Sequence, residues 1–295
     1  MIFWKKKYLL LIVIFLTGKL FSLDLMVIGG LGNFSFDTSS ESAIGAGKFK
    51  GSFFPLGLIS IEDQITDTFG YTATAERDPV LRNILSCEMT IDAGLLQFSV
   101  GPLFSMFNSM NTFIRPGVYT SLGMEIPGIF FINLRGGATF GSSIENDYGM
   151  ETSRIALGFW LPNLLSTLSV SSGKFSEFDT ILIQDEFFRA SYRADIYAKN
   201  VSYTISIEMG YQSLKRTYPA DEDLIRAVFI GFETNVTIKP QFTFILGAEA
   251  PIFVWGKTPL EKAKDRMFFR AFTGFRWNIQ RQNDEFIPLE NMAEE

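Results

Sequence analysis

From about Leu81 to Ile279 the chain repeats one pattern: segments of roughly ten residues in which bulky apolar positions alternate with polar or glycine positions, separated by turn signals. The clearest copy places Ile114, Pro116, Val118, Thr120, Leu122, Met124 and Ile126 on one face, and Arg115, Gly117, Tyr119, Ser121, Gly123 and Glu125 on the other. Successive side chains of a strand point to opposite sides, so one face suits lipid and the other suits water. This periodicity predicts an all-β chain, an antiparallel transmembrane β-barrel of the outer-membrane type.

Reading forward, the alternation predicts strands over residues 24–36, 64–77, 80–92, 95–107, 112–126, 129–141, 151–161, 164–175, 182–198, 201–213, 224–237, 241–254 and 266–279. Short connections (Ala93-Gly94, Pro127-Gly128, Pro162-Asn163, Lys199-Asn200, Ile238 to Pro240) alternate with longer ones at 142–150, 176–181, 214–223 and 255–265. Periplasmic turns and extracellular loops alternate in the same way. An odd number of strands cannot begin and end on the same side, so a further strand is expected at 50–60, with a turn at Ile61 to Asp63 before the ascent from Gln64. The expected count is 14, with 12 as the alternative if residues 24–54 lie partly outside the wall.

Turn chemistry gives the register independently. Two-residue turns at Pro162-Asn163 and Lys199-Asn200 set outward Leu161 against Leu164 and outward Ala198 against Val201. A strict two-residue turn at Pro127-Gly128 would set outward Ile126 against inward Ile129, so a bulge or a three-residue loop is required there. The outward set includes Phe130, Ile132 and Leu134; Phe188, Tyr192 and Ile196; Tyr203, Ile205 and Ile207; and Phe242, Phe244 and Leu246. Phe159, Tyr211, Trp255 and Trp277 are suited to interfacial girdles.

The opposite face changes the picture from a generic sheet to a wet interior. It carries Arg115, Arg135, Arg154, Arg189, Arg193, Lys199, Arg270 and Arg276 alongside Glu88, Glu125, Asp195, Glu208, Glu233 and Glu249. A closed soluble core could not hold so many charges without extensive pairing. With the two-residue turn at Lys199-Asn200, Glu208 is expected opposite Ser191, with Arg189 and Arg193 as diagonal neighbours. Such a ladder serves equally to stiffen the wall and to select solutes.

Composition then narrows the classes. The chain has 47% hydrophobic residues and 31 Phe, yet alternation disperses them and no later run is long enough for a spanning helix. Lys5, Lys6 and Lys7, the apolar run Tyr8 to Leu16 and the small residue in Leu20-Phe21-Ser22 predict a secretory signal peptide over residues 1–22. The barrel is then expected over 23–280 and a polar tail over 281–295. A formal charge of -6 argues against nucleic acid as a partner. The absence of histidine removes the commonest general base and transition-metal ligand, so no catalytic site, metal or cofactor is expected. Cys87, the one cysteine, falls on the apolar face between Leu85 and Met89. Gly29-Gly30-Leu31-Gly32 lacks the helix and lysine of a phosphate loop and reads as strand glycine.

Three functions compete on this reading. A passive channel for small hydrophilic solutes follows from the charged, glycine-rich inner face. A transporter of apolar compounds follows from inward Phe131, Phe187, Phe229, Phe253, Phe268 and Phe272. A surface adhesin is the third, with the Ser- and Gly-rich loop 37–49 as its best contact.

The segment Glu62-Asp63-Gln64-Ile65-Thr66-Asp67-Thr68-Phe69-Gly70, followed by Glu76-Arg77-Asp78-Pro79-Val80-Leu81-Arg82-Asn83, resembles a stretch of spirochaetal, especially treponemal, outer-membrane barrels of unassigned function. Val100-Gly101-Pro102-Leu103-Phe104, Pro116-Gly117-Val118 and Gly158-Phe159-Trp160-Leu161-Pro162-Asn163 extend the resemblance. It covers roughly residues 50–175, with the later half similar in pattern only. The resemblance implies secretion through the inner membrane, insertion by barrel-assembly machinery and outer-membrane lipid as a partner. It is silent on solute and oligomeric state. The long-chain fatty-acid transporters are similar in strand number, but they begin with a hatch where residues 23–36 here read as strand.

Overall fold

A computed structural model describes residues 22–32, 54–77, 83–108, 112–140, 149–178, 182–197, 202–217, 222–256 and 269–280. Its strands are β1 (Ser22–Gly32), β2 (Phe54–Thr66), β3 (Phe69–Arg77), β4 (Asn83–Ala93), β5 (Leu96–Asn108), β6 (Thr112–Ile126) and β7 (Phe130–Thr139). They continue as β8 (Gly149–Leu161), β9 (Leu164–Phe178), β10 (Leu182–Tyr197), β11 (Tyr203–Thr217), β12 (Glu222–Lys239), β13 (Phe242–Gly256) and β14 (Arg270–Gln280). Each strand pairs antiparallel with its sequence neighbours, and β14 returns to pair with β1, giving a closed barrel of 14 strands. Closure matters because hydrocarbon offers no partner for a free strand edge. The twelve-strand alternative fails: β1 is paired from Leu23 to Gly32 with β2 and from Ser22 to Gly32 with β14, so it belongs to the wall.

The short turns and both ends of the barrel, Ser22 opposite Gln280, lie on one rim; the longer loops lie on the other. Leu161 opposes Leu164 across Pro162-Asn163, and Asn163 takes φ 59°, the left-handed value that the second turn position of a type II turn needs. Ile126 opposes Phe130, so the connection at Pro127-Gly128-Ile129 has three residues, with Gly128 at φ 71°. The expected extra residue is therefore present, and both flanking side chains face outward.

Other boundaries move for physical reasons. The first turn falls at Asp67-Thr68 and not at Ile61 to Asp63. Polar Glu62-Asp63-Gln64 continues β2, and a bulge between Gln64 and Thr66 absorbs Ile65 before the Thr68 amide donates to Thr66 Oγ1 at 3.3 Å. Between β10 and β11 the pairing is Tyr197 with Thr204, a longer connection than Lys199-Asn200 alone. The stretch expected as loop 214–223 is largely strand: β11 runs on to Thr217 and β12 starts at Glu222. Residues 33–36, the expected loop 37–49, residues 1–21 of the signal peptide expected over 1–22, and the tail expected at 281–295 lie outside the described residues.

The outer surface is an apolar belt. Ile155, Leu168, Val170, Ile207, Met209, Ile230, Phe232 and Leu246 are exposed there, and free Cys87 shares that face. Covering such side chains with lipid is worth ~1.5–3 kcal/mol each. On the loop side, outward Tyr211 lies 6.1 Å from Phe188 and 6.0 Å from Trp255, whose ring is 5.4 Å from Phe253. Phe159 and Trp277 are exposed toward the turn rim. Inside, large rings lie over cross-strand glycines: a Cβ at Gly158 would sit 2.1 Å from Phe131, and one at Gly137 would sit 2.2 Å from Tyr119. Each glycine supplies the room that lets an aromatic ring lie flat on the inner wall.

Candidate functional site: the charged lumen

The strand alternation carries Arg115 and Glu125 (β6), Arg135 (β7), Arg154 (β8), Arg189, Arg193 and Asp195 (β10), Glu208 (β11), Glu233 (β12), Glu249 (β13), and Arg270 and Arg276 (β14) to inner-face positions. Most of them meet in two ion-pair groups. Arg189 Nη2 donates to Glu208 Oε1 at 2.7 Å and to Glu249 Oε2 at 2.8 Å, while its Nη1 reaches Glu249 Oε1 at 3.1 Å. Arg270 Nη2 donates to the same Glu249 oxygen at 2.6 Å, so one carboxylate ties β10 to β14. The Arg189 guanidinium also stacks 4.0 Å above the Phe229 ring, a cation–π contact that fixes its plane.

In the second group, Arg193 donates from Nε to Asp195 Oδ1 at 2.7 Å and from Nη2 to Glu233 Oε1 at 2.9 Å and Ser206 Oγ at 2.9 Å. The register corrects the expected position of Glu208: it stands directly opposite Arg193, whereas Ser191 faces Gly210. The longer β10–β11 connection shifts each facing partner by two residues, which preserves the face, and Glu208 still reaches Arg189. Further pairs join Arg135 to Glu88, Arg276 to Asp24 and Arg216 to Asp185.

Glu76, Asp24, Asp185 and Arg216 belong to this inner set although the sequence reading did not select them. Glu76 follows inward Thr72 and Thr74, so the alternation of β3 already carried its signal. Arg216 was hidden because its stretch reads as loop. Its bidentate pair with Asp185, at 2.6 and 2.8 Å, is almost wholly buried.

The lumen contains three described cavities of about 830, 610 and 390 Å³. Glu76 and Arg154 line all three. They come from far-apart parts of the wall, β3 and β8, so the spaces meet where these two side chains project inward. Arg154 stands directly opposite Arg135 in the β7–β8 ladder, an arrangement of like charges that is unfavourable without compensation. Glu88 compensates Arg135, and among the described residues Arg154 has no carboxylate within ion-pair distance.

The phenylalanines expected to make a greasy passage divide. Phe131, Phe187, Phe229 and Phe272 face inward. Phe253 does not: the β12–β13 register shifts between Val228 and Phe229, leaving Ile252 as an extra residue, and Phe253 emerges on the lipid face 63% exposed. Phe268 lies outside the described residues. Phe131 and Phe272 are laid against Gly158 and Gly247, and so fill wall sites and do not form a continuous apolar path.

A closed antiparallel wall, apolar outside and charged around internal cavities, defines an outer-membrane β-barrel. No protein-family model and no curated protein sequence matches the chain. Among solved structures, an outer-membrane channel from Pseudomonas putida is similar with a TM-score of 0.50 and 8% identity, over 88% of this chain and 95% of that one. A bacterial polysaccharide outer-membrane secretin has a TM-score of 0.46 and 9% identity over 88% and 98% of the two chains. A porin has 0.40 and 8% over 87% and 99%. At these identities the likeness to the Pseudomonas putida channel speaks to the fold.

Proposed function

We propose that this chain forms a channel through the outer membrane for passive passage of small hydrophilic solutes. The observation that carries the reading is the meeting of three internal cavities at the charged residues Glu76 and Arg154. A wall of 14 strands supports it, being intermediate between ~8 strands, which side chains fill, and ~16, which enclose an aqueous channel. The fixed ion pairs hold the wall charges in place, so the solute meets a shaped polar surface and not a set of mobile side chains. Acidic and basic groups are mixed along it, which favours weak ion selectivity. The full chain reconstituted in planar bilayers is expected to give discrete conductance steps. Silent bilayers across several salts and voltages would reject the reading.

A further inference from the structure

The 390 Å³ cavity on the loop side differs in kind from the other two. Its sides are apolar: Ile84, Tyr119 and Phe175 from one buried cluster face Phe187 and Leu214 from another. Its remaining lining is polar: Arg135, Arg154, Arg189 and Arg270 stand with Glu76 and Glu208 among serine, threonine and glutamine side chains. Three of these guanidiniums already hold carboxylates: Arg135 has Glu88, while Arg189 and Arg270 share Glu249. Arg154 is the exception: among the described residues it has no carboxylate within ion-pair distance, and the charges around it are Arg135, Arg189 and Arg193 against Glu208 and Glu76. Three guanidiniums against two carboxylates leave positive charge in excess around Arg154, and one added anion relieves it. Its volume lies within the ~300–1,000 Å³ of small-molecule sites.

We propose that this cavity is a recognition site for amphiphilic organic monoanions, with the apolar body held between the two clusters and the carboxylate at Arg154. The inference rests on the channel reading and names a solute class for it. A second negative charge would have to approach Glu76, which lines the same cavity. A cation would face the unpaired guanidinium. An acid without an apolar body would leave the aromatic walls uncovered.

The test uses the full chain with 4-phenylbutyrate, acetate and 4-phenylbutylamine as probes, measured by calorimetry in detergent and by current interruption in planar bilayers. 4-Phenylbutyrate is expected to act at ~10-fold lower concentration than either of the others, a separation equal to one decade in Kd. Arg154→Gln is expected to remove most of that advantage and Arg154→Lys to keep part of it. Equal action of acetate and 4-phenylbutyrate on the unaltered protein overturns the site without any variant, and conductance that persists in that case leaves the channel intact. Selective binding with silent bilayers upholds the site and rejects the channel.

Discussion

Glu249 shows how much one side chain organises in this wall. It is almost fully buried and accepts from both Arg189 and Arg270, so removing its charge leaves two guanidiniums without their shared partner. Glu249→Gln is expected to lower unfolding stability by about 3 kcal/mol, at the lower end of the range for breaking a buried pair. Denaturant unfolding in lipid vesicles measures this; a change within 0.5 kcal/mol, roughly the neutral range for surface substitutions, would show that the pair is not holding β10 to β14. Gly158 illustrates a different constraint, since its missing Cβ is the space that the Phe131 ring occupies. Gly158→Val is expected to cost about 1–3 kcal/mol as overpacking. Phe131→Leu combined with it should recover part of the loss, because the clash is with that ring; no recovery would place the strain elsewhere.

Individual strands were largely legible in the sequence because period-two alternation is set by the lipid on one side and water on the other. β6 and β8 illustrate this, with outward residues that the alternation of Ile114 to Ile126 and of Ile155 to Leu161 marks directly. Bulges were not legible. Ile252 reads as one more strand residue, yet it leaves the ladder and reverses the face of Phe253, a change that depends on cross-strand geometry and not on local pattern. The inner ion pairs were legible as a face but not as partners: Arg189 meets Glu249 from β13, three strands along the same sheet, and the inward curvature of the wall brings the two side chains together. Glu76 was overlooked because β3 is short and its small Ala73 and Ala75 give the outer face a weak apolar signal.

The β11 strand permits a direct test of its two faces. Ile207 is outward and exposed, while Thr204 lines the largest of the three cavities. Ile207→Arg is expected to destabilise the folded barrel by ~2–4 kcal/mol if it lies at the bilayer midplane. Thr204→Arg should change stability by less than about 1 kcal/mol and instead shift ion selectivity. Equal folding penalties at the two positions would contradict the assigned faces. Ser206 would be a poor partner for this comparison, because it is buried and already accepts from Arg193 at 2.9 Å.

The closed 14-strand wall removes every free edge, covers its outside with apolar side chains and ties its inside with ion pairs between strands one to three apart. The described cavities lie inside this wall, and Glu76 and Arg154 border all three. If solutes pass there, the two charges must act on permeating ions in opposite senses. The decisive measurement is the reversal potential of single channels under a potassium chloride gradient, for the unaltered protein and for Glu76→Gln and Arg154→Gln. Passage between these side chains requires discrete channels, with Glu76→Gln moving selectivity toward anions and Arg154→Gln moving it toward cations. Channels whose reversal potential ignores both substitutions, or an absence of channels altogether, would contradict a permeation path between Glu76 and Arg154.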